Sequence, residues 1–162
     1  MTVVVTPVQP EHIETFAALA EEMDRFYGAT ELDPLDLRLE QIKDALFGDQ
    51  PAAYALIAWN EDEPVGFAAY SFLWPAVGLT RSLYLKELYV IDSARRTGAG
   101  TAIMRALAEV ALKNGCSRFE WQTDRPNADA QRFYAKFGIA VDESKLFYRA
   151  QGETLRELAN GH

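Results

Sequence analysis

Between Leu83 and Leu112 the chain passes from the apolar, aromatic run LYLKELYVI, through Arg95-Arg96-Thr97-Gly98-Ala99-Gly100-Thr101, into an apolar stripe of Ile103, Met104, Leu107 and Leu112. The run has the length and residue types of a central strand. The stripe has the spacing of a helix. A strand joined to a helix by so short a turn must fold that helix back onto a sheet, which commits the chain to a layered α/β architecture.

The rest of the sequence agrees. Thr2 to Val8 reads as a strand, and Pro10 with the series Ile13, Phe16, Leu19, Met23 as an amphipathic helix. A second helix is expected after Asp33, with Pro34 in its first position and Gly48 as its stop. Ala53 to Trp59 and Val65 to Trp74 flank the turn NEDEP as a hairpin. Beyond Leu112 the pattern predicts a strand at Arg118 to Thr123, a helix over Asn127 to Phe137, a strand at Lys145 to Ala150 and a short polar helix in 151–162. With 162 residues, 49% of them apolar, and no repeat or linker, residues 1–162 are expected to form a single domain with a mixed sheet.

Cys116 is the only cysteine, which excludes an internal disulfide and points to a reducing, cytoplasmic setting; a small buried side chain is its ordinary reading. His12 and His162 lie far from it in sequence, so no metal site is expected. No run of 18 apolar residues occurs, and no membrane partner is expected. A formal charge of −8 repels nucleic acid and favours cationic partners, while also serving solubility.

The turn from Arg95 to Thr101 carries the first chemical signal. A glycine turn opening a helix aims free N–H groups at one point, where helix polarity favours an anion, and Gly98 and Gly100 leave room for close approach. Arg95 and Arg96 add positive charge. The pattern is neither a Walker A sequence nor a GxGxxG turn. Taken alone, it reads equally as an ordinary strand-to-helix connection.

The stretch Arg95-x-x-Gly98-x-Gly100 resembles the acetyl-CoA-binding motif of the GNAT N-acetyltransferase superfamily. Asn127-Ala128-Asp129-Ala130-Gln131-Arg132-Phe133-Tyr134-Ala135-Lys136-Phe137-Gly138 is similar to its second hallmark, Asn-x-x-Ala-x-x-Phe-Tyr-x-x-x-Gly. GFAAYSFLWPAVGLTRSLYLKELYV further resembles the diamine and polyamine acetyltransferase branch, which has two adjacent acids where this chain has Lys86-Glu87. The resemblance implies a GNAT-like layered α/β fold: a central, mostly antiparallel sheet, splayed at its fourth and fifth strands and flanked by helices. It also implies acetyl-CoA as donor, with no metal. The cofactor-binding positions it implies are Arg95, Arg96, Thr97, Gly98, Ala99, Gly100 and Thr101 for the pyrophosphate, Leu88, Tyr89 and Val90 for the pantetheine arm, and Asn127 and Lys136 on the later helix. A homodimer is implied as well.

Acetyl transfer to an amine needs a base for the ammonium and an acid for the departing thiolate. Tyr134, two helical turns after Asn127 and on the same face, is the candidate acid, against its alternative as a packing aromatic. Glu87 is the candidate base, expected by strand alternation to share a face with Leu85 and Tyr89; a salt-bridged surface role is the alternative. Asn127 suits either the cofactor arm or a helix cap. For the acceptor, Glu22, Asp24, Tyr27 and Glu87 are the candidate ligands, within an acidic segment from Glu21 to Asp33 and with aromatic support from Phe26, Tyr70, Phe72 and Trp74. A solvated helix end explains the same acids. The expected function is acetyl transfer to a primary amine of a small cationic molecule, polyamine-like or lysine-like. The alternatives are a protein N-terminal or lysine acetyltransferase and a non-enzymatic acyl-CoA-binding regulator.

Overall fold

The computed structural model describes residues 2–161. They form two compact units, one running to Gln122 and the other from Thr123 onward.

The first unit is built on a five-stranded sheet of β1 (Val3–Pro7), β2 (Tyr54–Asn60), β3 (Glu63–Leu73), β4 (Arg81–Val90) and β5 (Cys116–Trp121), in that spatial order. The first three pairings are antiparallel and β4 pairs parallel with β5. That parallel pair needs a helical crossover, supplied by α3 (Ala99–Lys113). Before β2 come a 3-10 turn at Pro10–His12, α1 (Ile13–Phe26) and α2 (Leu35–Phe47). Pro34 stands at the cap of α2, one residue outside the expected first helical position, because its ψ of 146° is extended; Gly48 ends that helix as expected. His12 accepts a hydrogen bond from the Gln9 N–H at 3.0 Å through Nδ1, and its ring lies 5.3 Å from Trp59.

Two-residue alternation gives the sheet two apolar faces. Ala55, Ile57, Phe67 and Tyr89 pack with Val8 and with Phe16, Leu19 and Met23 of α1; the rings of Phe16 and Phe67 meet edge to face at 4.9 Å. The other face lies against α3, whose Ile103 and Leu107 are fully buried, each contributing about 2 kcal/mol of apolar burial. Gly66 lets β4 and α3 pack closely: a Cβ there would stand 2.7 Å from the Tyr89 carbonyl oxygen and 3.4 Å from Ile103 Cδ1. Buried Ser82 donates to Glu120 Oε2 at 2.6 Å, joining β4 to β5 through side chains as well as backbone.

Two irregularities matter for the site. Lys86 is an extra residue in β4, since Tyr70 pairs with Leu85 and Ala69 with Glu87. The β4–β5 pairing also stops at Leu85 and Trp121, so β4 runs on from Lys86 to Val90 beyond its parallel neighbour. This is the expected splay.

The second unit holds α4 (Ala128–Ala135) and α5 (Gly152–Ala159). The strand expected at Lys145 to Ala150 does not form. Those residues carry no ladder partner, and Leu146, Phe147 and Tyr148 are exposed. Aromatic content favours a strand, but a strand exists only with backbone to pair against.

Candidate functional site

β4 ends at Val90, and a 3-10 turn at Asp92–Ala94 leads into the glycine turn. Arg96 has φ of 64° and Gly98 has φ of 93°, so two left-handed residues alternate with ordinary ones and turn successive N–H groups the same way. Thr97 Oγ1 donates to the Ala94 carbonyl and fixes the approach to α3. Within the helix the Ala102 N–H reaches the Gly98 carbonyl at 2.9 Å, whereas no side chain caps the donors before it, those of Ala99, Gly100 and Thr101. Nothing lies within 4 Å of where a Gly98 Cβ would stand. Uncapped donors at a helix N-terminus, beside a glycine that leaves open space, fit an anion such as a pyrophosphate.

The splayed part of β4 supplies a second row of donors. The Ile91 N–H bonds to the Val65 carbonyl at 3.0 Å, so Ile91, Tyr89 and Glu87 direct their backbone groups toward β3. Antiparallel alternation then turns those of Leu88 and Val90 outward, where β5 no longer pairs. The Val90 carbonyl on this side is taken by Arg95 Nε at 3.1 Å. The outward N–H groups of Leu88 and Val90 suit an extended, amide-bearing arm.

The bulge at Lys86 corrects the expected facing of Glu87. Opposite Ala69, it shares the α1 face with Phe67 and Tyr89, while Leu85, opposite Tyr70, points to the other face. Glu87 is half-buried and Lys86 exposed.

On the acceptor side the acids do not form one cluster. Glu21 is bridged to Arg38 of α2 at 3.2 Å and to Arg25 at 3.8 Å. Burial pushes the Tyr89 phenol up, the neighbouring Glu22 adds to this, and Arg95 opposes it. Asp24 and Tyr27 stand at the C-terminal end of α1, where the Asp24 carbonyl receives the Ala29 N–H at 2.9 Å. Phe26 packs on Tyr27 and Tyr89, with ring centroids 5.2 and 6.1 Å away. Tyr70 and Phe72 belong to the opposite sheet face, where they group with Tyr54, and so do not support the α1 acids as expected. Burial, followed by the neighbouring Tyr54, raises the Tyr70 phenol. Trp74 is exposed and donates to the Leu79 carbonyl at 2.8 Å. Sequence reasoning missed the side-chain group of Glu22, Tyr89, Arg95 and Phe26; the only trace of it was the shared apolar spacing of α1 and β4.

In the second unit Asn127 caps α4, its side-chain oxygen accepting from the Ala130 N–H at 3.1 Å. Gln131 Nε2 donates to the Arg125 carbonyl at 2.6 Å and so ties the preceding loop to the helix. Tyr134 is half-buried, two turns on from Asn127, with its ring 5.2 Å from Phe133. Lys136 is the C-terminal cap and is exposed. Among the described residues no group of three or more His, Cys, Asp or Glu is placed to hold a metal ion, and no helix is long and apolar enough to cross a membrane.

Comparison with known proteins gives the family of the chain. The chain is 34% identical over 124 residues to thialysine N-epsilon-acetyltransferase of Mus musculus, covering 70% of this chain and 72% of that one. Its fold matches an integron cassette protein from the mobile metagenome of V. cholerae with a TM-score of 0.85, at 28% identity and 98% coverage of each chain. It also matches an aminoglycoside N-acetyltransferase in complex with CoA, with a TM-score of 0.75 and 21% identity over 91% of this chain and 94% of that one. Residues 16–139, from within α1 to just past α4, match the model of the Acetyltransferase (GNAT) family, and the chain therefore belongs to the GNAT N-acetyltransferases.

Proposed function

We propose that this N-acetyltransferase moves the acetyl group of acetyl-CoA onto a primary amine of a small cationic molecule, by direct attack of the amine. The observation that carries this reading is the continuity of donors: the outward N–H groups of Leu88 and Val90 lead, within one short stretch of chain, to the uncapped N–H groups of Ala99, Gly100 and Thr101. CoA joins an amide-bearing arm to a pyrophosphate, and it supplies an acetyl group activated as a thioester. In this reading the turn from Arg96 to Thr101 holds the phosphates and β4 holds the arm. Glu87 takes the ammonium proton from its half-buried place on the α1 face of the sheet. Tyr134 gives a proton from its hydroxyl to the departing sulfur, while Asn127 holds the start of α4 in shape for it.

The acidic end of α1 and the net charge of −8 support a cationic acceptor. The mouse relative's name, a thialysine acetyltransferase, supports a lysine-like one. Membership of an enzyme family disfavours the non-enzymatic regulator. The homodimer belongs to the same reading: Leu146, Phe147 and Tyr148 are 80%, 65% and 85% exposed and offer apolar surface to bury.

The test is an acceptor panel of diamines, polyamines, lysine-like amino acids, aminoglycosides and short peptides with acetyl-CoA, following free CoA thiol. Release driven by small diamines or lysine-like amines is expected. Release that stays at the acceptor-free rate with every small amine, or that responds to peptides alone, would refute the assignment.

A further inference from the structure

The first arginine of the glycine turn is not disposed like a phosphate ligand. Its guanidinium carbon lies 4.4 Å from the Phe26 ring centroid and 5.6 Å from that of Tyr89. Its Nε donates to the Val90 carbonyl at 3.1 Å, and Nη1 lies 3.5 Å from Asp92 Oδ1. These partners come from the last turn of α1, the end of β4 and the 3-10 turn between β4 and the glycine turn. Phe26 and Tyr89 also face each other, with ring centroids 6.1 Å apart, so the three side chains form one group. A guanidinium meant for a diffusing polyanion keeps its donors in solvent. One whose face covers an aromatic ring and whose Nε is committed to a backbone carbonyl acts as a cross-link, a task for which the planar, multi-donor arginine suits and lysine does not.

We propose that Arg95 is a positioning residue that clamps the acceptor-bearing end of α1 to the cofactor-bearing end of β4. The proposal rests on the acetyltransferase reading above for what those two ends bind. Arg95 satisfies the outward Val90 carbonyl of the splayed edge and, through Phe26, sets where Asp24 and Tyr27 stand relative to Glu87. Its loss is therefore felt in amine binding before phosphate binding. The pyrophosphate relies on the backbone N–H groups of the turn instead.

The experiment compares Arg95→Lys, Phe26→Leu and the double variant. Three quantities are measured: amine KM, CoA affinity by calorimetry, and amide hydrogen exchange across 23–27 and 90–91. Arg95→Lys keeps the charge, so a phosphate ligand would be largely preserved by it, whereas a clamp would not. A rise of about tenfold in amine KM is expected, with CoA affinity within about twofold of the parent. The double variant should be no worse than the worse single, because both changes open one contact. Exchange should quicken at both ends of the clamp. Phe26→Leu reaches the same contact from the exposed side should Arg95→Lys fold poorly. A tenfold loss of CoA affinity with unchanged amine KM would make Arg95 a phosphate ligand and overturn the clamp, as would effects of the two changes that simply multiply. If the parent enzyme turns over no amine, the acetyl-transfer reading fails on its own. The exchange measurement needs no substrate and still decides: unchanged exchange across 23–27 in Arg95→Lys rejects the proposal.

Discussion

Tyr134 is the residue on which the proposed chemistry turns, and replacing it by phenylalanine removes one hydroxyl while keeping a half-buried ring beside Phe133. Tyr134→Phe should fold and bind CoA like the parent, with kcat lower by about 10²-fold, the scale of a lost general acid. Single-turnover kinetics with calorimetry of CoA binding check this; a parent-like chemical step would move the role elsewhere. Asn127 shows how a motif and a local signal overlap. The sequence offered both a cofactor contact and a helix cap, and the structure displays the cap, which any Asn before a helix would make. Glu22 and Arg95 were legible as charged residues near functional segments, but not as partners through Tyr89. Their meeting depends on how α1 crosses β4, an element far away in sequence, and no local pattern records that crossing.

Among the elements, the glycine turn and α3 were the most readable, because glycine spacing and helical periodicity are local and agree. Gly98 sits at φ of 93° with open space where a Cβ would stand, so a β-branched replacement meets two penalties: a left-handed backbone costing about 1–2 kcal/mol, and a side chain in the anion's space. Gly98→Val should weaken CoA binding by more than about tenfold, roughly 1.4 kcal/mol, in calorimetry of the folded variant; unchanged affinity would place the pyrophosphate elsewhere. The strand expected at Lys145 to Ala150 failed for the opposite reason. Its residue types fit a strand, but pairing is a property of two segments, and one segment cannot announce its partner. The bulge at Lys86 was hidden too, since an apolar run of mixed phase looks the same with or without an extra residue.

For the molecule as a whole, the two apolar sheet faces tie stability to pH through buried phenols. Tyr70 is 7% exposed, and burial, then the neighbouring Tyr54, raises its pKa above the ordinary value of 10.0. The unfolded chain therefore loses this proton first as pH rises past 10, the folded state holds more protons, and stability falls with increasing pH until the folded phenol also ionises. The slope from this residue is at most about 1.4 kcal/mol per pH unit. Urea unfolding between pH 8 and 11 should show a steep alkaline loss that Tyr70→Phe makes shallower; identical slopes would reject the assignment. The order of strands was readable as a mixed α/β layer, whereas the partition of residues between the two faces was not, because the extra residue at Lys86 changes the phase of β4 midway. That phase change has a consequence for how length variation is tolerated. Removing Lys86 alone would leave every other β4 side chain on its present face and only straighten the strand. β4 is thus a ruler with one spare division, forgiving of shortening at that position.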